Sequence, residues 1–402
     1  MTTPKLRFKT NELNFPDYSE KRFCDIFIER KEMGFDSLDL LSVTLDCGVI
    51  RQIDNGKRDT SSCDKSKYKL VKKNDIAYNS MRMWQGASGV SKFDGIVSPA
   101  YTVITAKYGV PDYYGFLFKT KPLINLFKTY SKGLTSDTLN LKFKSFSLVN
   151  YFLPCEDEQQ KIAAFFTALD EKITLTEKAL VLTERTTKVV LEKIYKGELR
   201  FKQSNGASFP DWQVRKLDQL LKFQNGINAS KEQFGTGIKL ISVKEVLSDV
   251  PVTYDSIASS IEVDDEEAKR FSVEYGDIVF QRSSETAEEA GSANVYLDSR
   301  PAVFGGFVIR GRKIADYHPQ FMKMALRSKQ VRRQIVRLAQ GAQHVNIGQE
   351  QLSSVEVQLP CLAEQEKIAE LINNFEHKKA TLLARLNKLK RLKQAFMQQM
   401  FV

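Results

Sequence analysis

The sequence predicts an α+β protein made by internal duplication: two mixed α/β regions separated by two long, antiparallel, coiled-coil-like helices, in a cyclic pseudo-twofold order. Three observations predict it. Leu153-Pro154-Cys155, with Glu158-Gln159, Lys161-Ile162-Ala163 and Lys172 behind it, returns as Leu359-Pro360-Cys361, Glu364-Gln365, Lys367-Ile368-Ala369 and Lys378, at a constant offset of 206 residues (359 − 153). Each copy then runs on with apolar residues at alternating steps of four and three, the period of a helix that pairs along one seam. Finally, Leu6-Arg7-Phe8-Lys9 with Phe15-Pro16-Asp17-Tyr18 returns as Leu199-Arg200-Phe201-Lys202 with Phe209-Pro210-Asp211-Trp212, so the repeat is larger than its helix.

In chain order, each unit opens with the Leu-Arg-Phe lead-in and a proline turn. Lys73-Asn74-Asp75-Ile76-Ala77-Tyr78 and Tyr275-Gly276-Asp277-Ile278-Val279-Phe280 read as a turn followed by a short apolar strand. Residues 97–103 and 303–309 read as a turn or kink into another strand. Helical segments follow at about 113–130 and 319–339, each ending near a glycine, Gly133 or Gly341, suited to a helix stop. Strands then return to the Leu-Pro-Cys boundary through 143–152 and 352–359.

The long helices come next. Neither run has an internal proline, and the first has no glycine until Gly197, so roughly 40 residues make a helix about 60 Å long at 1.5 Å per residue. The first seam is Ile162, Phe166, Leu169, Ile173, Thr176, Leu180, Thr183, Thr187, Val190 and Ile194; the second, in register, is Ile368, Ile372, Phe375, Lys379, Leu382, Leu386, Leu389, Lys393, Phe396 and Met400. Polar seam positions such as Lys379 and Lys393 cost stability and fix register. The first helix enters the second unit through Lys196-Gly197-Glu198. About a pseudo-twofold axis, the continuation after Phe401 would be supplied by Lys5-Leu6-Arg7-Phe8, bringing the termini close together.

Bulk properties narrow the function. The net charge of +11 and pI near 9.2 favour a polyanionic partner, because each phosphate neutralised by Lys or Arg releases counterions. Five cysteines (24, 47, 63, 155, 361) form no Cys-x-x-Cys pair and three histidines (318, 344, 377) lie far apart, so no structural metal is expected. No apolar run approaches membrane-spanning length and Met1 to Lys9 leads into no apolar signal region; a cytoplasmic, reduced protein with no membrane partner is expected. Enzymatic readings find little. Ser98-Pro99-Ala100-Tyr101 lacks the second proline of an adenine methyltransferase motif, Phe234-Gly235-Thr236-Gly237 is a lone glycine pair, and no P-loop is present. Pro16-Asp17 with Asp170-Glu171-Lys172 resembles a metal-nuclease pattern, but the triplet sits inside the long helix and Pro-Asp recurs as a turn at Pro210-Asp211.

Between matching flanks the two units diverge at loop-like places. Arg82, Trp84, Gln85 and Ser88, with Lys92 beyond, follow the strand of the first unit; Arg282, Ser283 and Ser284 follow the equivalent strand of the second. A second pair of loops holds Lys132 and Ser136 in one unit and Gln340, Gln343, His344 and Asn346 in the other. Arg pairs with guanine, Asn or Gln with adenine, and Ser or Thr with either, so these are DNA-reading candidates. Any one of them is an ordinary solvated residue; equivalent position with different content is what raises the pair. Lys323, Arg327, Arg332, Arg333 and Arg337, spaced along the helix from Phe321, are candidates for phosphate contacts that orient without specifying sequence, against the plainer reading of a solvated face.

The duplicated layout, the Phe-Pro-Asp turn, the Leu-Pro-Cys boundary and the Glu-Gln-x-Lys-Ile-Ala helix start resemble the specificity subunit of type I restriction-modification systems over nearly the whole chain. The resemblance implies a target recognition domain at 1–154, a central spacer helix at 155–200, a second recognition domain at 201–360 and a distal helix at 361–402. It implies a non-catalytic subunit that binds a bipartite site on double-stranded DNA, one half-site per recognition domain. It also implies docking of two methyltransferase subunits and, in the full complex, two ATP-dependent restriction subunits. S-adenosylmethionine, ATP and Mg would belong to those partners, with no cofactor on this chain. In this family the paired helices hold the domains apart, here through Ile162, Phe166, Leu169, Ile173, Leu180 and Ile194 against Ile368, Ile372, Phe375, Leu382, Leu386 and Leu389. The alternative is a coiled-coil scaffold with two protein-binding heads and no DNA.

Overall fold

The computed structural model describes residues 3–9, 15–35, 37–56, 61–62, 64–341 and 344–401. The chain forms two compact units, one of Met1–Lys178 with Leu383–Val402 and one of Ala179–Leu382. This division passes through both long helices, so each head is built together with part of each, whereas the sequence boundaries at 154, 200 and 360 follow the connections along the chain.

The first unit centres on a four-stranded antiparallel sheet in the order Phe27–Glu29, Tyr101–Ala106, Ile76–Asn79, Ser88–Val90. Side chains alternate across a strand. Ile76 and Tyr78 therefore join Ile104 in a core with Phe23, Phe27 and Phe146, while Ala77 and Val103 face a second core with Leu41, Val43 and Val97. Both faces are dry, which explains the unbroken apolar run. The second unit repeats the plan with Leu221–Asn225, Val308–Lys313, Ile278–Gln281 and Ala293–Val295. Ile278, Phe280 and Ile309 face one core and Val279 and Val308 another.

The turn before the central strand is fixed in the same way in both units. Asn74 (φ 72°) and Gly276 (φ 89°) take the left-handed conformation. The buried carboxylate of Asp75 accepts from Lys72 N at 2.8 Å and Arg30 Nε at 2.6 Å, and that of Asp277 accepts from Glu274 N and Lys313 N at 3.0 Å each.

The structure differs from the sequence expectation in the helical layer. Each expected segment is two helices, Pro111–Leu117 and Lys121–Tyr130 in one unit, Pro319–Arg327 and Lys329–Leu338 in the other. Thr120 (ψ 142°) and Ser328 (ψ 149°) are extended and separate the two members; Pro122 opens the second member in one unit, and Ser328 Oγ caps Val331 N in the other. The return segments begin with single helical turns, Phe143–Phe146 and Gln349–Ser353, before the strands Asn150–Leu153 and Glu356–Leu359. These strands pair antiparallel with Ser19–Arg22 and Gln213–Lys216.

The repeated strings meet in one polar knot per unit. Arg7 donates to Glu158 through Nε (3.1 Å) and Nη2 (2.7 Å) and to the carbonyl of Pro16 at 2.7 Å. Arg200 does the same with Glu364 (3.2 and 2.8 Å) and Pro210 (2.6 Å). The neighbouring amides complete it: Gln159 donates to Pro154 O and accepts from Val110 N, and Gln365 donates to Pro360 O and accepts from His318 N. Lead-in, proline turn, Leu-Pro boundary, head helix and long helix are thus joined by two residues, Glu-Gln.

The long helices span Glu156–Tyr195 and Leu362–Met400. Every residue of both seams is buried or half-buried. Within the first unit Asp170 pairs with Lys393 (2.6 Å), Glu177 with Lys390 (2.7 Å) and the Phe165 ring with Phe396; within the second, Glu184 pairs with Lys379 (2.9 Å). Partner numbers fall as residue numbers rise, so the helices pack antiparallel, and both seam lysines meet carboxylates. The cyclic continuation is visible in one hydrogen bond: Leu199 N donates to Lys193 O (3.3 Å), and at the equivalent place Leu6 N donates to Gln399 O (2.9 Å).

Candidate nucleic-acid interface

In the first head, the strand Ile76–Asn79 exits into a compact turn that closes where Asn79 N donates to Ala87 O at 2.9 Å. Met83, fully buried, anchors the turn in the core. This leaves Arg82 and Gln85 exposed, with Arg82 Nη1 3.4 Å from Gln85 Oε1. Trp84 donates from Nε1 to Met81 O (3.0 Å), and Lys128 Nζ sits 5.9 Å from its ring centre. A second loop is pinned beside this turn. Lys132 and Asn140 pair across it, and Leu141 N donates to Ser80 O at 2.8 Å. Between the loops lies a cleft of about 500 Å³ lined by Tyr68, Asn79, Arg82, Trp84, Gln85 and Ser136 among others.

The second head uses the same tether. Gln340 and Asn346 pair across the loop (2.9 and 2.7 Å), and Ile347 N donates to Arg282 O at 3.0 Å. Ser283 and Ser284 pair antiparallel with Asn346 and Val345, and the Ser283 hydroxyl donates to the Asn346 side chain. Asn346 in turn donates to His344 O (3.0 Å), which leaves the His344 side chain exposed. Gln343 lies outside the described residues.

Other candidates fall elsewhere. Ser88 is fully buried in the sheet, and Lys92 is exposed beside a different crevice, with Asp112, Lys119 and Asp170. Ser284 is buried against Glu289. Of the five phosphate candidates, three turn inward onto backbone carbonyls, which fits neither the expected phosphate contacts nor a solvated face. Lys323 donates to Asp249 O, Arg327 to Ser248 O (2.6 Å) and Ala293 O (3.2 Å), and Arg332 to Glu288 O, Ala290 O (both 2.8 Å) and Gly291 O (2.7 Å). Burial pushes the Lys323 ammonium down to about 8 and lowers the Arg327 and Arg332 guanidinium values. Arg333 and Arg337 face solvent.

Sequence reasoning missed Tyr68 and Asn79 as cleft residues. Asn79 carried a signal, since it ends the matched strand; Tyr68 carried none. Among the described residues no group of three or more His, Cys, Asp or Glu is placed to hold a metal, and no helix is long and apolar enough to cross a membrane.

Two α+β heads of one plan, each presenting tethered loops of different content and each built onto antiparallel long helices, define a duplicated, loop-presenting protein. Residues 47–183 and 210–391 match the family model described as type I restriction modification DNA specificity domain. The chain is 26% identical over 229 residues to the type I restriction enzyme MjaIX specificity subunit of Methanocaldococcus jannaschii, covering 54% of this chain and 48% of that one. It is 23% identical over 322 residues to the MjaVIII specificity subunit of the same organism, covering 77% and 73%. The chain thus spans about half the length of the first relative. The crystal structure of the HsdS subunit from Thermoanaerobacter tengcongensis has the same fold, with a TM-score of 0.54 and 16% identity over 98% of this chain and 99% of that one. With its family match spread over both heads, the chain belongs to the type I restriction-modification DNA specificity family.

Proposed function

We propose that the protein is the non-catalytic DNA-recognition subunit of a type I restriction-modification complex. Each head reads one half-site of a bipartite double-stranded target, and the two long helices set the unread spacer. The chain docks two methyltransferase subunits and, in the full complex, two ATP-dependent restriction subunits, which bring S-adenosylmethionine, ATP and Mg. The division into recognition domains at 1–154 and 201–360 and spacer helices at 155–200 and 361–402 describes these roles.

The observation that carries the reading is the shared tether, Leu141 N to Ser80 O and Ile347 N to Arg282 O, which holds loops of unlike side chains at like positions. Arg82, Gln85, Lys132 and Ser136 are the base-reading set of the first head, and Arg282, Ser283, Gln340, His344 and Asn346 that of the second. Arg333 and Arg337 are the phosphate contacts. The test is methylome sequencing of cells with and without this chain alongside the methyltransferase subunit. A bipartite adenine-methylated motif that depends on the chain is expected. Equal binding of the purified complex to all duplexes at moderate salt, with no such motif, would refute it and favour a scaffold without DNA.

A further inference from the structure

We propose that Lys119 in the first head and Arg332 in the second are positioning residues for sequence reading: each is a cation carried by the helical layer that caps the carbonyl of the glycine closing the variable turn, Gly86 or Gly291. The inference rests on the two-headed reading above. The glycines occupy the same step of the fold, since Asn79 N donates to Ala87 O and Gln281 N to Ser292 O, one residue beyond each. Both are left-handed, Gly86 at φ +86° and Gly291 at φ +65°. A Cβ there would meet the helical layer, 3.1 Å from Ile124 Cδ1 and 2.5 Å from Ile335 Cγ2, so the turn lies directly on it.

Lys119 Nζ donates to Gly86 O at 2.7 Å and to Leu45 O at 2.9 Å. Arg332 donates to Gly291 O at 2.7 Å and to Glu288 O and Ala290 O at 2.8 Å. The two cations are not the same residue of the repeat. Lys119 follows the helix Pro111–Leu117, whereas Arg332 lies within Lys329–Leu338. The cap is thus present in both heads although the side chain that makes it arrives from the turn between two helices in one and from within a helix in the other. Charge-assisted bonds to a carbonyl are stronger than neutral ones, so each cation restrains the backbone it holds. Lys119 does not line the cleft of Arg82 and Gln85. It acts through the turn, and reading groups need placement to within about 0.5 Å.

The experiment uses the full chain co-expressed with the methyltransferase subunit, with Lys119→Met, Lys119→Arg, Arg332→Met and Arg332→Lys, and Arg82→Ala to mark the half-site of the first head. Methylome sequencing gives methylation at the wild-type motif relative to sites with one substituted base. Lys119→Met should lower this ratio by about fivefold or more, the lower end of what one base contact contributes, and only at the half-site that Arg82→Ala relaxes. Lys119→Arg should restore most of it, and Arg332→Met should relax the other half-site alone. Loss at both half-sites, or weaker methylation with the ratio unchanged, overturns the proposal in favour of a purely structural role. If Lys119→Met does not accumulate, Lys119→Gln is read in its place; failure of both to accumulate also overturns it. A wild-type complex with no bipartite motif would overturn the underlying reading, whereas a wild-type motif left unaltered by all four variants overturns this inference alone.

Discussion

Replacing Arg7 with methionine should destabilise the first unit by about 3 kcal/mol, and the matching Arg200→Met should cost the second roughly half as much. Glu158 and Glu364 both have fully buried side chains. Removing one partner of a buried ion pair costs about 3–5 kcal/mol, because the remaining charge is left without compensation. Arg7 is 21% exposed, so water can reach the vacated site and the low end of that range applies. Glu364 keeps a donor, Trp212 Nε1 at 3.1 Å, whereas at the matching position Tyr18 donates nothing to Glu158. A hydrogen bond to a charged group contributes about 1.5–3 kcal/mol, which sets the expected difference between the units. The chain's two tryptophans, Trp84 and Trp212, fall one in each unit, so urea unfolding followed by fluorescence in Trp212→Phe and Trp84→Phe backgrounds reports them separately. Comparing each arginine variant against its own background gives the two costs. Adding Glu158→Gln to Arg7→Met should recover stability, since the buried charge is gone. Equal losses for Arg7→Met and Arg200→Met, or a loss below about 0.5 kcal/mol for Arg7→Met, would refute the reasoning, the latter being the scatter of ordinary surface changes.

Three further outcomes follow from the packing. Burial holds Lys323 at about 8 in the fold against 10.5 for the free group, so between these values the unfolded chain binds the extra proton and stability rises with pH; Lys323→Met should flatten that rise in urea midpoints taken at about pH 7.5 and 9.5. Lys393→Glu should destabilise the first unit by about 1 kcal/mol, the scale for partly exposed pairs, and Asp170→Lys in the same chain should restore it; no recovery in the double variant would show that the pair does not set register. Deleting one helical turn between Thr174 and Thr187 displaces Glu184 from Lys379, and methylome sequencing should show an altered spacer with both half-sites unchanged.

The parts of the fold legible in the sequence were those whose signal is local and periodic. The seams were readable because a four-three step is visible in the residues themselves, and the strand at 76–79 because a buried sheet demands an apolar run. The break at Thr120 carried a signal that sequence reasoning missed, the proline at 122; the break at Ser328 was not legible, since apolar spacing continues on both sides and a single capping serine inside an amphipathic stretch leaves it nearly unchanged. Nor was the fate of Lys323, Arg327 and Arg332. Their spacing is that of a solvated face, and what turns them inward is a set of carbonyls at Ser248, Asp249 and 288–291, some forty to eighty residues away in sequence. The repeated strings were found but not joined. Arg7 and Glu158 stand 151 residues apart, and only the fold shows that the lead-in, the proline turn and the helix start are one knot.

That knot and the loop tethers explain why some parts of the duplication match and others do not. The knot works through side chains: a guanidinium must meet a buried carboxylate, and an amide must both donate to one carbonyl and accept from one N–H, so substitution leaves a charge or a polar group stranded. Arg, Glu and Gln therefore stand at the same places in both copies. The tethers work through the backbone: Leu141 N to Ser80 O and Ile347 N to Arg282 O ask nothing of the side chains they join, nor do the ladder bonds between Lys132 and Asn140 or Gln340 and Asn346. A loop held this way can exchange Ser80 for Arg282, or Lys132 for Gln340 with a different span between, and keep its placement on the strand exit. The physical separation of the two kinds of bond is what lets one architecture carry two different surfaces, and it predicts where differences between heads can accumulate: on side chains whose backbone is tethered, and not on the Arg-Glu-Gln cluster that ties each head to the long helices.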